Sequence, residues 1–262
     1  MNPVATGEEV STKGSMGTSR MKVAVVVPAY NEEALIRDTL QNIPDFVDRA
    51  YIIDDGSTDA TGQIVRDFPD PRVCYIRHHR NGGVGSAIVT GYRRCLEDGM
   101  DIAIVMAGDN QMDPAHAIRL IQPVLDGKAD YAKGDRLSVK GYQTGMSKWR
   151  HFGNWLLTLL TRIASGNFRI IDPQNGYTAI SSKALRKINF GRIYPGYGYC
   201  NDMLVKLSVL GFKIVDVPMP ARYGHEKSKI KYSRYIPRVS WLLFVDFLWR
   251  LKETFSQGNK AC

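Results

Sequence analysis

The sequence predicts an α/β protein built on a mostly parallel sheet, and three observations carry that expectation. Short apolar runs alternate with helical patterns through the first half, which is the signature of strand–helix–strand crossovers. Each apolar run ends in a polar, turn-rich cluster instead of fading into a linker. The 262 residues are 44% hydrophobic and 23% charged, enough core for one large domain without staples.

The elements follow in order. Val23 to Val27 reads as a buried strand stopped by Pro28, with a helix from about Glu32 to Asn42. Ala50 to Ile53 is a second strand and a short helix then runs to Phe68. Val73 to Ile76 is a third strand, followed by a helix from about Gly85 to Glu97. Asp101 to Met106 is a fourth. Asp113-Pro114 then reads as an N-cap with proline at the first helical position. The second half is less regular. Helices are expected over Lys148 to Ile163 and Asp202 to Leu210, and a strand over Phe212 to Val217 ended by Pro218 and Pro220. Met1 to Arg20 lacks the apolar run of a secretory signal and reads as a disordered leader or an expression remnant.

The net charge of +9 favours anionic partners, among them nucleic acid, an anionic membrane face or phosphate-rich small molecules. No basic–aromatic recognition motif accompanies it, so nucleic acid is not expected. Four widely separated cysteines, Cys74, Cys95, Cys200 and Cys262, form no metal-ligand spacing and read as reduced thiols of a cytosolic protein.

Ligands of an open parallel sheet bind beyond the carboxyl ends of its strands. Four polar clusters fall there: Pro28-Ala29-Tyr30-Asn31-Glu32, Asp54-Asp55-Gly56-Ser57, Asn81-Gly82-Gly83-Val84-Gly85, and Gly108-Asp109-Asn110-Gln111-Met112-Asp113. One such cluster is ordinarily a turn. Four, one after each expected strand, point to a site. Asp109, Gln111 and Asp113 are spaced by two, which in an extended segment turns their oxygens to one side. Hard oxygen donors near a basic pocket suit Mg²⁺ or Mn²⁺ shared with a diphosphate. Asp113 is assigned instead to capping the helix at Pro114.

Taken in this order, the motifs from Val23 to Glu32, Asp54 to Asp59, Asn81 to Ala87 and around Asp109 resemble glycosyltransferase family 2, in particular its dolichol-phosphate mannose and glucose synthases. The resemblance runs from about residue 21 to 231. It implies a GT-A fold with a nucleotide-binding half (about 21–113) and an acceptor half (about 114–231), followed by an amphipathic C-terminal helix and tail (232–262). It also implies that Pro28, Tyr30, Glu32 and Asp55, with Asp54 and Gly83, line the donor site. Asp109 and Gln111 match its metal motif, with Ala107 standing where the family has the first aspartate. Thr178 stands where such synthases often carry arginine.

On the acceptor side, Gly134-Asp135-Arg136 resembles a family element that contacts phosphate, and Arg150 its acceptor-side arginine. Asn175 belongs to an Asp172-to-Gly176 turn that the family places beside the acceptor. The Arg222-to-Lys229 segment resembles a loop that closes over the donor, with Lys229 as its donor contact. Asp202 matches a region that in many members supplies the base for a sugar hydroxyl; as a helix N-cap it is equally well explained.

The run from Val239 to Leu251, with Trp241, Phe244 and Trp249 between basic residues, is too short and too interrupted by Asp246 to span a bilayer. It suits either a membrane interface or packing on the core. Together these readings imply a metal-dependent, inverting hexosyltransferase, peripheral on the cytoplasmic face of a membrane. It would move a sugar from GDP-mannose or UDP-glucose to a polyprenyl or dolichyl phosphate. A saccharide-extending transferase using Asp202, a sugar-phosphate nucleotidyltransferase and a non-catalytic membrane adaptor are the alternatives.

Overall fold

The computed structural model describes residues 20–108, 112–139, 148–220 and 232–258, with the side chains at 148–152, 232 and 257–258 left out. The expected leader and the residues Asp109, Gln111 and Lys229 lie outside that description. So does the side chain of Arg150.

Among the described residues seven strands form one sheet: β1 (Val23–Ala29), β2 (Arg49–Asp54), β3 (Val73–Arg77), β4 (Ile102–Val105), β5 (Tyr131–Asp135), β6 (Thr178–Ser181) and β7 (Ile214–Pro218). Their order is β3-β2-β1-β4-β6-β5-β7. The described residues also form eight helices: α1 (Ile36–Gln41), α2 (Thr61–Arg66), α3 (Val84–Glu97), α4 (Ala117–Leu125), α5 (Lys148–Ser165), α6 (Ser182–Leu185), α7 (Tyr199–Val209) and α8 (Tyr232–Gly258). The first four strands pair in parallel. Alternate residues of β1 feed two cores: Val23, Val25 and Val27 on one face, Ala24 and Val26 on the other. Burial on both faces explains why β1 reads as a continuous apolar run.

Pro28 does not end β1 as its sequence suggests. It pairs with Ile53, while its carbonyl accepts from the Gly108 amide on the β4 side. The N–H that proline lacks would face the same side, where the Met106 and Gly108 amides still reach β1, so the ladder there loses one rung just past the end of β4.

Strands β5 and β6 are not legible in the sequence. Strand β6 runs antiparallel to both neighbours, with Val105 and Lys133 each opposite Thr178. Because it runs backwards, its beginning lies at the carboxyl edge of β4 and β5. The turn from Asp172 to Tyr177 is thereby delivered to the edge that carries the polar clusters.

Helix α8 packs on α5 and α7, burying Val239 and Leu243 against Leu157 and Val205. Its opposite face is also apolar: Trp241 is 66% exposed, alongside Phe244, Val245 and Leu248. Asp246, which interrupts the run in sequence, points inward and is buried. Among the described residues no helix is long and apolar enough to cross a membrane.

Candidate active site

The strand order turns back at β1. The chain passes outward through β2 and β3, then returns to β4 on the other flank of β1. Such a switch point opens a crevice at the carboxyl edge, because the connecting loops diverge there. Pro28 to Glu32 forms one lip of this crevice and Ala107–Gly108 the other. The lips are joined: Gly108 donates to the Pro28 carbonyl, and the Thr39 hydroxyl donates to the Gly108 carbonyl at 3.0 Å. Asp109 follows directly on this anchored glycine.

Two loops are stitched at the first lip. Asn31 sits in the left-handed region at φ 53°, which asparagine tolerates better than most residues. Its amide donates to Ser57 Oγ at 3.0 Å, and its Oδ1 accepts from the Thr58 amide at 2.8 Å. The Glu32 amide donates to Thr61 Oγ1 at 2.8 Å. Tyr30 is 39% exposed beside them.

Asp55 organises the next loop. Its carboxylate accepts from the Gly82 amide at 2.9 Å and the Gly83 amide at 2.7 Å, and a ring nitrogen of His78 lies 2.7 Å away. Gly83 has φ +95°, and a Cβ there would strike the Pro195 carbonyl. The Gly85 amide donates to that same carbonyl at 2.7 Å. The glycine loop is therefore gripped between Asp55 and the segment from Tyr194 to Gly196. The Gly83 amide serves this grip and is not turned toward a phosphate.

Asp54, expected among the donor contacts, is fully buried. It accepts from the Ser57 amide at 2.7 Å and the Tyr75 hydroxyl at 2.6 Å, so it shapes the turn from beneath. Burial alone would raise its carboxyl; the bonds from Ser57 and Tyr75 outweigh that and hold it below the usual range.

Asp202 does not take the N-cap position its sequence suggests. Helix α7 begins at Tyr199, so Asp202 lies in the first turn and does not cap it. Its side chain is fully buried, accepts from the Tyr194 amide at 2.8 Å and pairs with Lys206. Lys206 lies 3.7 Å from Asp246 of α8. The carboxylate is shielded from solvent, and each of its oxygens already has a partner. It holds the Tyr194 segment against the glycine loop.

The acceptor-side residues are also more deeply set than their sequence suggests. Arg136 meets Asp172 through Nε at 2.7 Å and Nη2 at 3.0 Å, a two-pronged pair on a fully buried carboxylate. Lys133, buried beneath, donates to the Asp172 carbonyl at 2.7 Å and pairs with Asp216. Asn175 is buried, and its Oδ1 accepts from the Tyr177 amide at 3.0 Å. Arg150 falls within α5. Asp113 caps the turn at Pro114, accepting from the Ala115 amide at 2.9 Å.

The structure also brings in residues that the sequence reading passed over. Asn31, Ser57, Thr61 and His78 each tie two of the loops together. The signal available was the density of short polar side chains after β1 and β2, which commonly bond to neighbouring backbone.

A sheet with this switch point, edged by polar loops from β1, β2 and β4, defines an α/β protein with the GT-A fold. The chain belongs to glycosyltransferase family 2, whose model, described as "Glycosyl transferase family 2", matches residues 24–189. It is 28% identical over 216 residues to the UDP-N-acetylglucosamine–dolichyl-phosphate N-acetylglucosaminyltransferase of Methanococcus voltae, covering 77% of this chain and 86% of that one. It is 32% identical to the undecaprenyl-phosphate mannosyltransferase of Micrococcus luteus, covering 76% of this chain and 83% of that one. Among solved structures, glucosyl-3-phosphoglycerate synthase of Mycobacterium tuberculosis, in complex with Mn²⁺, UDP and glucosyl-3-phosphoglycerate, shares the fold. It superposes with a TM-score of 0.63 at 22% identity, covering 88% of this chain and 80% of that one.

The Arg136–Asp172 pair yields a stability prediction. Burial would push the Asp172 carboxyl up; Arg136 and Lys133 outweigh that and hold it below the usual carboxylate range. A depressed folded-state pKa stabilises the fold above the unfolded value and ceases to do so as pH falls through the folded one. Asp172→Asn should therefore cost about 3–5 kcal/mol in urea unfolding at neutral pH, with the gap to wild type narrowing in acid. A gap that stays constant into acid contradicts this reading.

Proposed function

We propose that the chain transfers a sugar from a nucleotide diphosphate sugar to a polyprenyl or dolichyl phosphate, with inversion at the anomeric carbon. The observation that carries the choice of acceptor is the enclosure of Asp202. A hydroxyl acceptor needs a base within reach, whereas a lipid phosphate is already ionised at neutral pH. Asp202, the residue the alternative depends on, is committed to Tyr194 and Lys206. The two relatives named for dolichyl phosphate and undecaprenyl phosphate support the same choice.

In this reading Pro28, Tyr30, Glu32 and Asp55 hold the nucleoside. Three donors already face the Asp55 carboxylate, which leaves it acceptor capacity for a base N–H. Arg136, its plane fixed by Asp172, and Arg150 receive the acceptor phosphate, for which a guanidinium fork is well shaped. Lys229, which follows β7 in sequence, is the donor contact that the family resemblance implies. The residues suited to a divalent ion are Asp109 and Gln111. One carboxylate and one amide oxygen, beginning one residue past the anchored Gly108, are hard donors of the kind Mg²⁺ or Mn²⁺ takes alongside diphosphate and water. When bound, such an ion neutralises charge growing on the leaving diphosphate.

The outward faces of α5 and α8, with Trp155, Leu159 and Ile163 on one and Trp241, Phe244 and Leu248 on the other, suit peripheral contact with a cytoplasmic membrane leaflet. A Trp155→Glu/Trp241→Glu double variant should keep its melting temperature and lose most of its flotation with anionic vesicles. Unchanged flotation would overturn the membrane assignment.

The reaction is tested by incubating the protein with Mn²⁺, a polyprenyl phosphate and labelled UDP-N-acetylglucosamine, UDP-glucose or GDP-mannose, then counting label in the lipid extract. One donor should label the lipid. Asp109→Ala should lower that rate by a factor on the order of 10² or more, as expected for a lost electrostatic contact to the leaving group. Label appearing only on a saccharide acceptor would reject the lipid-phosphate reading; near-normal rates in Asp109→Ala would reject the metal assignment.

A further inference from the structure

Strand β2 ends in two adjacent buried acids, Asp54 and Asp55, at the edge where an anionic donor would arrive. The end of β3 sets two adjacent cations beside them. Asp54 pairs in register with Arg77, and its side chain lies 3.9 Å from the guanidinium. The backbone N–H of His78 then donates to the Asp54 carbonyl at 2.8 Å, which places the imidazole against Asp55.

The hydrogens around His78 can be counted. An ionised Asp55 carboxylate only accepts, and it already receives the Gly82 and Gly83 amides. Nδ1, at 2.7 Å from Asp55 Oδ1, must therefore carry a hydrogen. On the far side Nε2 lies 2.9 Å from Thr90 Oγ1. Thr90 has one hydroxyl hydrogen, which it donates to the Ser86 carbonyl one turn back in α3, at 3.1 Å. Its oxygen is then an acceptor, and Nε2 must carry a hydrogen as well. A ring with hydrogen on both nitrogens is an imidazolium. A neutral ring would require the Thr90 hydrogen to abandon Ser86.

We propose that His78 is a positioning residue that works as an imidazolium, the counter-charge that lets Asp55 grip the glycine loop without presenting an unbalanced carboxylate to an anionic donor. The site stands on three elements. The end of β2 contributes Asp55, α3 contributes the neutral Thr90, and Arg77, beside His78 on the end of β3, is turned to Asp54 and to the Ser57 carbonyl. His78 itself is largely enclosed, with 20% of its side chain exposed. Loss of the Nε2 proton leaves the Nδ1 donor on Asp55 but removes the counter-charge, and the donor site then faces a net negative charge. Donor affinity is then weaker with the neutral ring than with the imidazolium.

This inference rests on the assignment of the crevice as a donor site, and the test separates the two. Nitrogen-detected NMR of the ¹⁵N-histidine-labelled full chain, with His78 identified by comparison with His78→Gln, reads the ring directly and needs no ligand. The expected result at about pH 7 is the imidazolium pattern, with both nitrogens protonated. Kinetics with a nucleotide sugar, whose diphosphate has no ionisation near neutrality, read the consequence. The donor KM of wild type should rise with pH, while that of His78→Gln should be flat and about tenfold higher at low pH, the scale of one bond to a charged group. The change in kcat should be the smaller effect. A neutral ring in the spectrum overturns the proposal, as does a pH dependence of donor KM that His78→Gln leaves intact. Should no nucleotide sugar bind, the donor-site reading falls, and the spectrum still decides the charge of His78.

Discussion

Asp55 holds the glycine loop by two backbone amides while His78 closes on the same carboxylate, and the shape of the edge proposed as the donor site depends on that junction. Each bond has a charged acceptor, is largely shielded from water, and joins chain segments more than twenty residues apart. Such bonds contribute about 1.5–3 kcal/mol apiece, more than neutral pairs do. The loop needs them because its glycines have no side chains of their own to pack. Pro195 closes it from the other side, and Asp202 holds the Tyr194–Pro195 segment in place. The two carboxylates are thus complementary clamps on one loop.

The second constraint is the reversed strand β6. Its antiparallel course brings the Asp172–Tyr177 turn to the edge where Lys133, Asp135 and Arg136 emerge from β5. Buried charges accumulate there, and they are tolerable because they are paired: Arg136 with Asp172, Lys133 with Asp216. The same logic carries across α7 to α8, where Lys206 stands between Asp202 and Asp246. Burial lowers the Lys206 pKa and raises that of Asp246, so each makes the other's burial less costly.

The first half was legible because β1, β2 and β4 are buried on both faces and therefore read as unbroken apolar runs. β1, β2, β3 and β4 fall within a residue or two of where the sequence places them. Strands β5 and β6 were hidden by composition. Tyr131-Ala-Lys-Gly-Asp and Thr178-Ala-Ile-Ser carry lysine, aspartate and serine into the sheet, and only tertiary pairing makes those residues acceptable there. Among the candidate residues, the loops could be located from the strand ends, but not the direction of each side chain. Asp54 and Asp55 are neighbours, yet strand alternation sends one beneath the turn and the other to the glycine loop. Asp202 looked like a cap or a base because burial cannot be read from a single acid near a helix start. Asp246 looked like a break in an apolar helix, where it is the inward partner of Lys206.

The central claim, that the Asp55 junction builds the donor site, is tested most directly by calorimetric titration of UDP and GDP into wild type and Asp55→Asn. The asparagine amide repels one of the glycine N–H groups it replaces a partner for. The account predicts that one nucleotide binds wild type and that the variant, while still folded, weakens this by a factor on the order of 10 to 10². Equal affinity in the two proteins would contradict it.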